Sequence, residues 1–212
     1  MTRVADVTDV PLTRWELAGP GSTGYAARFG ALIEQGADID GEARLADVLV
    51  DRGAAILDAG AGIGRVAAAL AARGHRVIAA EKDPELLAES RRRYPDLATV
   101  ATDILELTSA RLAAEGHPAA YDLIVLVGNV IVLLAPETER RVLVTLRDLL
   151  APAGRILVGF HPANGPAHAR EYPYAEFASD VAAAGLRVEH RFGTYLLGAP
   201  AEDYVVAVLV HA

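Results

Sequence analysis

The sequence predicts an α/β fold: a doubly wound, mostly parallel sheet with helices on both faces. Three observations carry this expectation. Between residues 54 and 184, short apolar runs alternate with segments of helical periodicity, the pattern of β-α-β units whose helices flank a parallel sheet. A turn holding Gly60, Gly62 and Gly64 stands between the first strand and the first helix of that series. Two strand-like segments end the chain with no helix between them, which adds a hairpin-like antiparallel pair.

Two helices precede the alternation. The run "LAGPGSTG" (17–24) is turn chemistry, after which Tyr25, Phe29 and Leu32 recur at i, i+4 and i+7 and predict an amphipathic helix over 24–36 that stops at Gly36. Asp40 is placed to cap a second helix with Leu45, Val48 and Leu49 turned inward. Residues 54–57 read as a buried strand, 63–73 as a helix ended by Gly74, and 75–80 ("HRVIAA") as the next strand. Pro84 opens a helix that reaches Tyr94, and Pro95 closes it. Residues 97–101 are a short strand, and "YDLIVLV" (121–127), apolar in a row, suits a strand buried on both faces. A helix over 136–150, a strand over 154–160 and a helix over 174–184 follow. The last two strands, "LRVEHRFGTYLL" and "DYVVAVLVH", are joined by the turn-rich "GAPAED". No repeat or linker divides the chain, so 1–212 reads as one domain, with 1–53 a helical cap or lid on a core of 54–212.

Composition narrows the function. The chain is 52% apolar and 23% charged, as in a globular protein, and its net charge of −8 disfavours nucleic acid as a partner. Cysteine is absent, which removes disulfides, thiolate metal sites and a thiol nucleophile and suits a cytoplasmic location. The longest apolar stretch, 123–135, is too short to cross a bilayer, so no membrane association is expected. The six histidines are scattered without ligand spacing, so no metal site is expected. Arg91, Arg92 and Arg93 fall in a last helical turn, where cations favour the helix dipole.

The glycine turn lies where an open α/β sheet binds ligands, beyond the carboxyl ends of the strands. Glycine lets the backbone bend there and a ligand approach, and the helix start offers N–H donors. In the dinucleotide fingerprint G-x-G-x-x-G the third glycine would fall on Arg65. The chain instead reads Asp58-x-Gly60-x-Gly62-x-Gly64, with Ala61 inside the turn. A carboxylate ahead of the loop repels a pyrophosphate and suits a cationic or donor-bearing ligand such as an amino group.

This pattern resembles motif I of the class I S-adenosylmethionine-dependent methyltransferases, and ordered motifs over about residues 54–160 extend the likeness. The resemblance implies a Rossmann-like sheet of order 3-2-1-4-5-7-6 with one antiparallel C-terminal strand. Glu81, 21 residues after Gly60 and followed by Lys82, matches the acidic residue that holds the ribose hydroxyls. Asp103 in "ATDILEL" matches the aspartate that meets the adenine amino group, with the backbone of Ile104 on the ring. "YDLIVLVGNVIVLL" matches motif IV, whose Gly128, Asn129 and Val130 would lie beside the reactive methyl. The N-terminal segment looks like that of small bacterial members, in which positions equivalent to Tyr25 and Arg28 face the methionine end of the cofactor. The cofactor implied is S-adenosylmethionine, and the product S-adenosylhomocysteine.

His161 follows the strand "GRILVGF" at its carboxyl end, where a general base would stand, and Asn129 is the second candidate catalytic residue. Motif IV lacks the N-P-P-Y of amide and adenine methylases, so the expected acceptor is a small molecule with an O or N nucleophile, methylated in line by a monomer or homodimer. Trp15, Tyr25, Tyr172, Tyr174 and Phe177 are candidate lid aromatics, in segments 1–36 and 161–177. Two alternatives stand beside this: an NAD(P)-dependent oxidoreductase on the same sheet type, and a non-catalytic, regulatory S-adenosylmethionine-binding protein.

Overall fold

The computed structural model describes residues 10–19 and 21–212. The parts of the expected cap at 1–9 and Pro20 lie outside the described residues. Seven strands form one sheet of order β3-β2-β1-β4-β5-β7-β6. They are β1 (Ala55–Ala59), β2 (Arg76–Glu81), β3 (Ala98–Ala101), β4 (Tyr121–Leu126), β5 (Leu150–Phe160), β6 (Leu186–Phe192) and β7 (Val205–His211). Pairings from β3 through β5 are parallel, and β7 runs antiparallel to both β5 and β6. The expected order and the single reversed strand are both present.

The strands alternate their side chains between two cores. On one face, Ala55, Leu57 and Ala59 of β1 pack with residues of α6 (Ser109–Ala114), α7 (Val130–Leu133), α8 (Glu139–Asp148) and α9 (Tyr174–Ala183). On the other, Ile56 packs with α3 (Gly41–Val48) and α4 (Arg65–Ala72). Helix α5 (Pro84–Arg93) starts at Pro84 behind an Asp83 cap that accepts from Glu85 N and Leu86 N. Two further helices, α1 (Arg14–Leu17) and α2 (Gly21–Glu34), precede α3. Among the described residues no helix is long and apolar enough to cross a membrane.

Several expectations are corrected. Val48 is 78% exposed, because the small Ala43 and Ala46 are the residues of α3 with no exposure and turn Val48 outward. Asp40 precedes α3 but makes no cap; its carboxylate takes Arg73 instead, at 3.4 Å. The helix expected from 63 starts at Arg65, since Gly62 and Gly64 are held at φ 57° and 77°. Glu137, at φ 63°, delays the helix expected from 136 to Glu139. The strand expected over 121–127 ends at Leu126, and the short helix α7 follows at Val130. Helix α6, capped by Thr108 Oγ1 on Arg111 N at 3.1 Å, and a 3₁₀ turn over Ile104–Glu106 have no counterpart in the sequence expectations. Tyr172 and Phe177 are fully buried and Tyr174 packs against the same core, so these three are not lid aromatics.

Candidate functional site

The strand order reverses between β1 and β4, and a cavity of about 550 Å³ opens there, beyond the carboxyl ends of the strands. Its wall joins residues far apart in sequence. Gly60, Gly62, Glu81, Lys82, Asp103 and Ile104 line it from β1, β2 and β3. Gly128, Asn129, Val130 and His161 line it from the ends of β4 and β5, and Tyr25 and Arg28 from α2. Asp58, Ala61 and Gly64, the remaining sequence candidates, do not line it.

The glycine loop is shaped by its neighbours. Gly60 N and Ala61 N both donate to Ala80 O, at 2.9 and 3.0 Å, which fastens the bend to β2. A Cβ on Gly60 would stand 2.7 Å from Val130 Cγ1, and one on Gly64 would collide with Ser90 Oγ. Gly60 thus lets motif IV approach the loop, whereas Gly64 lets α5 pack beneath it. Tyr25 lies over Gly62, its Cε1 3.4 Å from where a Cβ would be.

Glu81 is buried at the end of β2, and its oxygens accept from Gly62 N and Asp83 N, each at 2.8 Å. Burial raises its carboxyl above the ordinary range despite those two bonds. Each oxygen keeps lone-pair capacity toward the cavity wall that Glu81 forms. Asp103 accepts from Leu105 N at 2.8 Å and pairs with Lys82 Nζ at 2.9 Å. Lys82 also bonds Glu16 Oε2 of α1 at 2.8 Å. Burial alone would lower the Lys82 ammonium, but these carboxylates outweigh it and hold its pKa above the usual value.

Asp58 faces α4, its Oδ2 accepting from Ala67 N at 3.1 Å. Burial pushes its carboxyl up to about 7. A carboxyl raised on folding binds its proton more tightly in the folded state, so stability falls as pH rises from about 4 to about 7 and is flat above that. In the ligand-free protein, Asp58→Asn keeps the acceptor and removes the titration. Between pH 5 and pH 8 the variant is expected to gain on the order of 3 kcal/mol relative to wild type in urea unfolding. A pH-independent difference between the two would contradict this assignment.

The sequence reading missed Arg65 as more than a misplaced glycine. Its guanidinium donates to Ile39 O at 2.7 Å, forms a two-pronged pair with Glu42, and lies 4.8 Å over the Phe29 ring. Arg65 therefore ties α2 and the start of α3 to the glycine loop, and Arg65, Glu42 and Phe29 all line the cavity. Trp15 of α1 packs edge-on to Tyr25, and its Nε1 donates to Asp83 Oδ2 at 2.8 Å.

Two straps meet on one carboxylate. Glu139 is buried, and its Oε1 accepts from Arg14 Nη1 of α1 at 3.0 Å and pairs with Arg170 Nη1 of the 161–173 segment at 3.1 Å. Arg14 also reaches Leu134 O at 2.8 Å, and Arg170 N donates to Val132 O at 3.0 Å. Removing a buried partner strands the opposite charge, although both arginines are partly exposed and regain water. Glu139→Ala is expected to cost about 2–3 kcal/mol in urea unfolding, at the low end for a broken buried pair. A change below about 0.5 kcal/mol, typical of a surface substitution, would show that the straps do not depend on it.

At the other end of the cavity, Asn129 is held at φ 73° with its N–H donating to Gly159 O at 3.1 Å. Its Oδ1 accepts from His161 N at 2.8 Å and lies 3.0 Å from His161 Nδ1. An atom facing a backbone N–H must be the acceptor, so the nearby Nδ1 carries a proton, which leaves Nε2 as the atom that can hold a lone pair. Tyr204, which also lines the cavity, meets the His161 ring edge-on at 4.6 Å, and its hydroxyl bonds that of Tyr195 at 3.0 Å. Burial pushes the Tyr204 hydroxyl up to about 12, so it stays protonated.

The donor set fits an adenosine cofactor with an amino-acid tail. Glu81 and Asp103 offer buried acceptors for hydroxyl and amino groups, Ile104 and Leu86 offer apolar wall, and the Gly60–Gly62 backbone leaves room that a Cβ would fill. Among the described residues no cluster of three or more histidines and carboxylates could hold a metal ion.

Known proteins agree with this fit. A family model described as a methyltransferase domain matches residues 56–154. No curated protein matches the chain. A TehB-like S-adenosylmethionine-dependent methyltransferase from Corynebacterium glutamicum is 31% identical, over 90% of this chain and 98% of its own, with a TM-score of 0.79. An S-adenosylmethionine-dependent methyltransferase from Clostridium acetobutylicum shares the fold at 11% identity over 90% and 98% of the two chains, with a TM-score of 0.71. So does the 1,6-didemethyltoxoflavin-N1-methyltransferase of Burkholderia thailandensis, solved with 1,6-didemethyltoxoflavin and S-adenosylhomocysteine, at 22% identity over 100% and 98%, with a TM-score of 0.64. With its sheet order, its glycine loop and nearly a third of its residues shared along the whole of a methyltransferase chain, this chain belongs to the class I S-adenosylmethionine-dependent methyltransferases, an enzyme whose cofactor is S-adenosylmethionine.

Proposed function

We propose that the enzyme transfers a methyl group in line from S-adenosylmethionine to an oxygen or nitrogen of a small molecule, as one domain whose segment 1–53 caps the site. The observation that carries this is the cavity's two-ended wall, with buried carboxylates at one end and the Asn129–His161 pair at the other. The cofactor supplies a methyl already activated by the positive sulfonium. The chain's task is then mostly positioning, which can supply roughly 7–11 kcal/mol.

Glu81 accepts the ribose hydroxyls, Asp103 the adenine amino group, and the backbone of Ile104 meets the ring. Gly60 to Gly64, with Asp58 beneath them, bound the amino-acid end, where Tyr25 closes over Gly62 and Arg28 takes the carboxylate. Lys82 steadies Asp103. Gly128 and Val130 shape the methyl's surroundings, and His161 Nε2 accepts the proton of the nucleophile while Asn129 fixes its ring. The continuation of the cavity past Asn129 to His161 and Asn164 supports catalysis over purely regulatory binding.

The net charge of −8 supports a small acceptor over nucleic acid, and the enzyme is expected to work in the cytoplasm as a monomer or homodimer. The test is S-adenosylhomocysteine release over a metabolite panel, with duplex DNA and tRNA as comparators. Turnover of a small molecule and none of the polynucleotides is expected. Turnover of a polynucleotide alone would refute the acceptor class.

A further inference from the structure

Helix α1 joins the two walls of the crevice. On the motif IV side, Arg14 Nη1 donates to Leu134 O at 2.8 Å and to Glu139 Oε1 at 3.0 Å. On the β2 side, Trp15 Nε1 donates to Asp83 Oδ2, and Glu16 Oε2 accepts from Lys82 Nζ, both at 2.8 Å. Lys82 and Asp83 directly follow Glu81, and Lys82 also pairs with Asp103 at 2.9 Å. Thr13 and Trp15 line the cavity together with Glu81 and Asp103. A nucleoside held by those two carboxylates, with its sulfur toward Asn129, runs between the same two walls that α1 connects.

Little except polar ties holds α1 down. None of Arg14–Leu17 is buried, and the flanking Leu12 and the terminal Leu17 are 57% and 59% exposed, so apolar burial anchors neither end. A helix of four residues has no stability of its own. The two attachments differ in strength. Arg14 grips a buried carboxylate, whereas Glu16 and Lys82 are both partly exposed, where an ion pair is weak. Trp15 adds one edge-on ring contact, with Tyr25. Past α1, Gly19 sits at φ 77° with nothing within 4 Å of where a Cβ would stand, so the backbone is unobstructed there. The β2 attachment is therefore the one built to release.

We infer that α1 gates the donor site: Trp15 and Glu16 let go of Asp83 and Lys82 to admit S-adenosylmethionine and to release S-adenosylhomocysteine, and they close again over the bound nucleoside. This rests on the donor-binding reading of the same cavity. Lys82 links the gate to the site. When Glu16 leaves, the ammonium keeps its bond to Asp103, so the aspartate that meets the adenine stays placed while the gate is open. The Asp83 carboxylate likewise keeps its cap on α5, through Glu85 N and Leu86 N.

Trp15 is the single tryptophan of the chain, so its emission reports on α1. The enzyme is mixed in stopped flow with rising excesses of S-adenosylhomocysteine while that emission is followed. The observed rate is expected to level off at high concentration, at a value set by the gate. Glu16→Gln removes the charge that holds Lys82 but keeps the capping box with Thr13, which glutamine serves as well as glutamate. It should raise the plateau about fivefold, the upper worth of an exposed ion pair. A rate that climbs in proportion to concentration throughout, a plateau unchanged in Glu16→Gln, or an emission unchanged at saturation overturns the inference. Calorimetry on the same samples separates the two readings. If S-adenosylhomocysteine does not bind at all, the donor site itself is misassigned, and the gate falls with it.

Discussion

Glu81→Ala is expected to weaken S-adenosylmethionine binding by about 10²–10⁴-fold, the largest single effect on donor affinity. A carboxylate that accepts two hydroxyl hydrogen bonds loses about 1.5–3 kcal/mol for each, and every 1.4 kcal/mol is tenfold. The same oxygens hold Gly62 N and Asp83 N, so the substitution also frees the loop and the start of α5 from the end of β2. Glu81→Gln retains one acceptor oxygen and should fall between the two. Calorimetry with S-adenosylmethionine and S-adenosylhomocysteine reads the loss, and thermal melting establishes that each variant is folded. A folded Glu81→Ala protein that binds the donor as wild type does would remove the ribose assignment.

His161→Ala should leave the donor's affinity within about twofold and lower kcat by about 10²–10³, the usual contribution of a positioned general base. The substitution removes Nε2 while leaving the backbone N–H that binds Asn129 Oδ1, so the αL turn at Asn129 keeps its tie. Loss of donor binding together with kcat would instead mark His161 as a structural support. Retention of kcat within about threefold would mean that the nucleophile needs no base from this residue.

Much of this site was legible in the sequence because its parts are short linear signals. The glycine spacing, the acidic residue at the end of the next strand and Asp103 in "ATDILEL" each follow from one strand-turn-helix unit, and the sheet brings their unit ends together. What escaped notice depends on contacts across the fold. Arg65 read as a poor glycine, yet its pairing with Glu42 and its place over Phe29 require two preceding helices to return to the loop. Glu139 carries no local signal within its helix, and only the meeting of Arg14 and Arg170 on it makes it a clasp. Tyr204 gave no signal, because its neighbour His161 lies 43 residues earlier, just past the end of β5, while Tyr204 stands just before the paired β7. One local signal was there to be found: "TRWE" is a Thr-x-x-Glu capping box, and Thr13 and Glu16 cap α1 in that way.

A crystal structure of the enzyme with S-adenosylhomocysteine tests most directly the claim on which the rest depends. Both ribose hydroxyls should lie within hydrogen-bond distance of the Glu81 carboxylate, with the amino-acid tail along residues 58–64 and the sulfur toward Asn129. A nucleoside seated away from Glu81, with its tail elsewhere than that bend, would contradict the account.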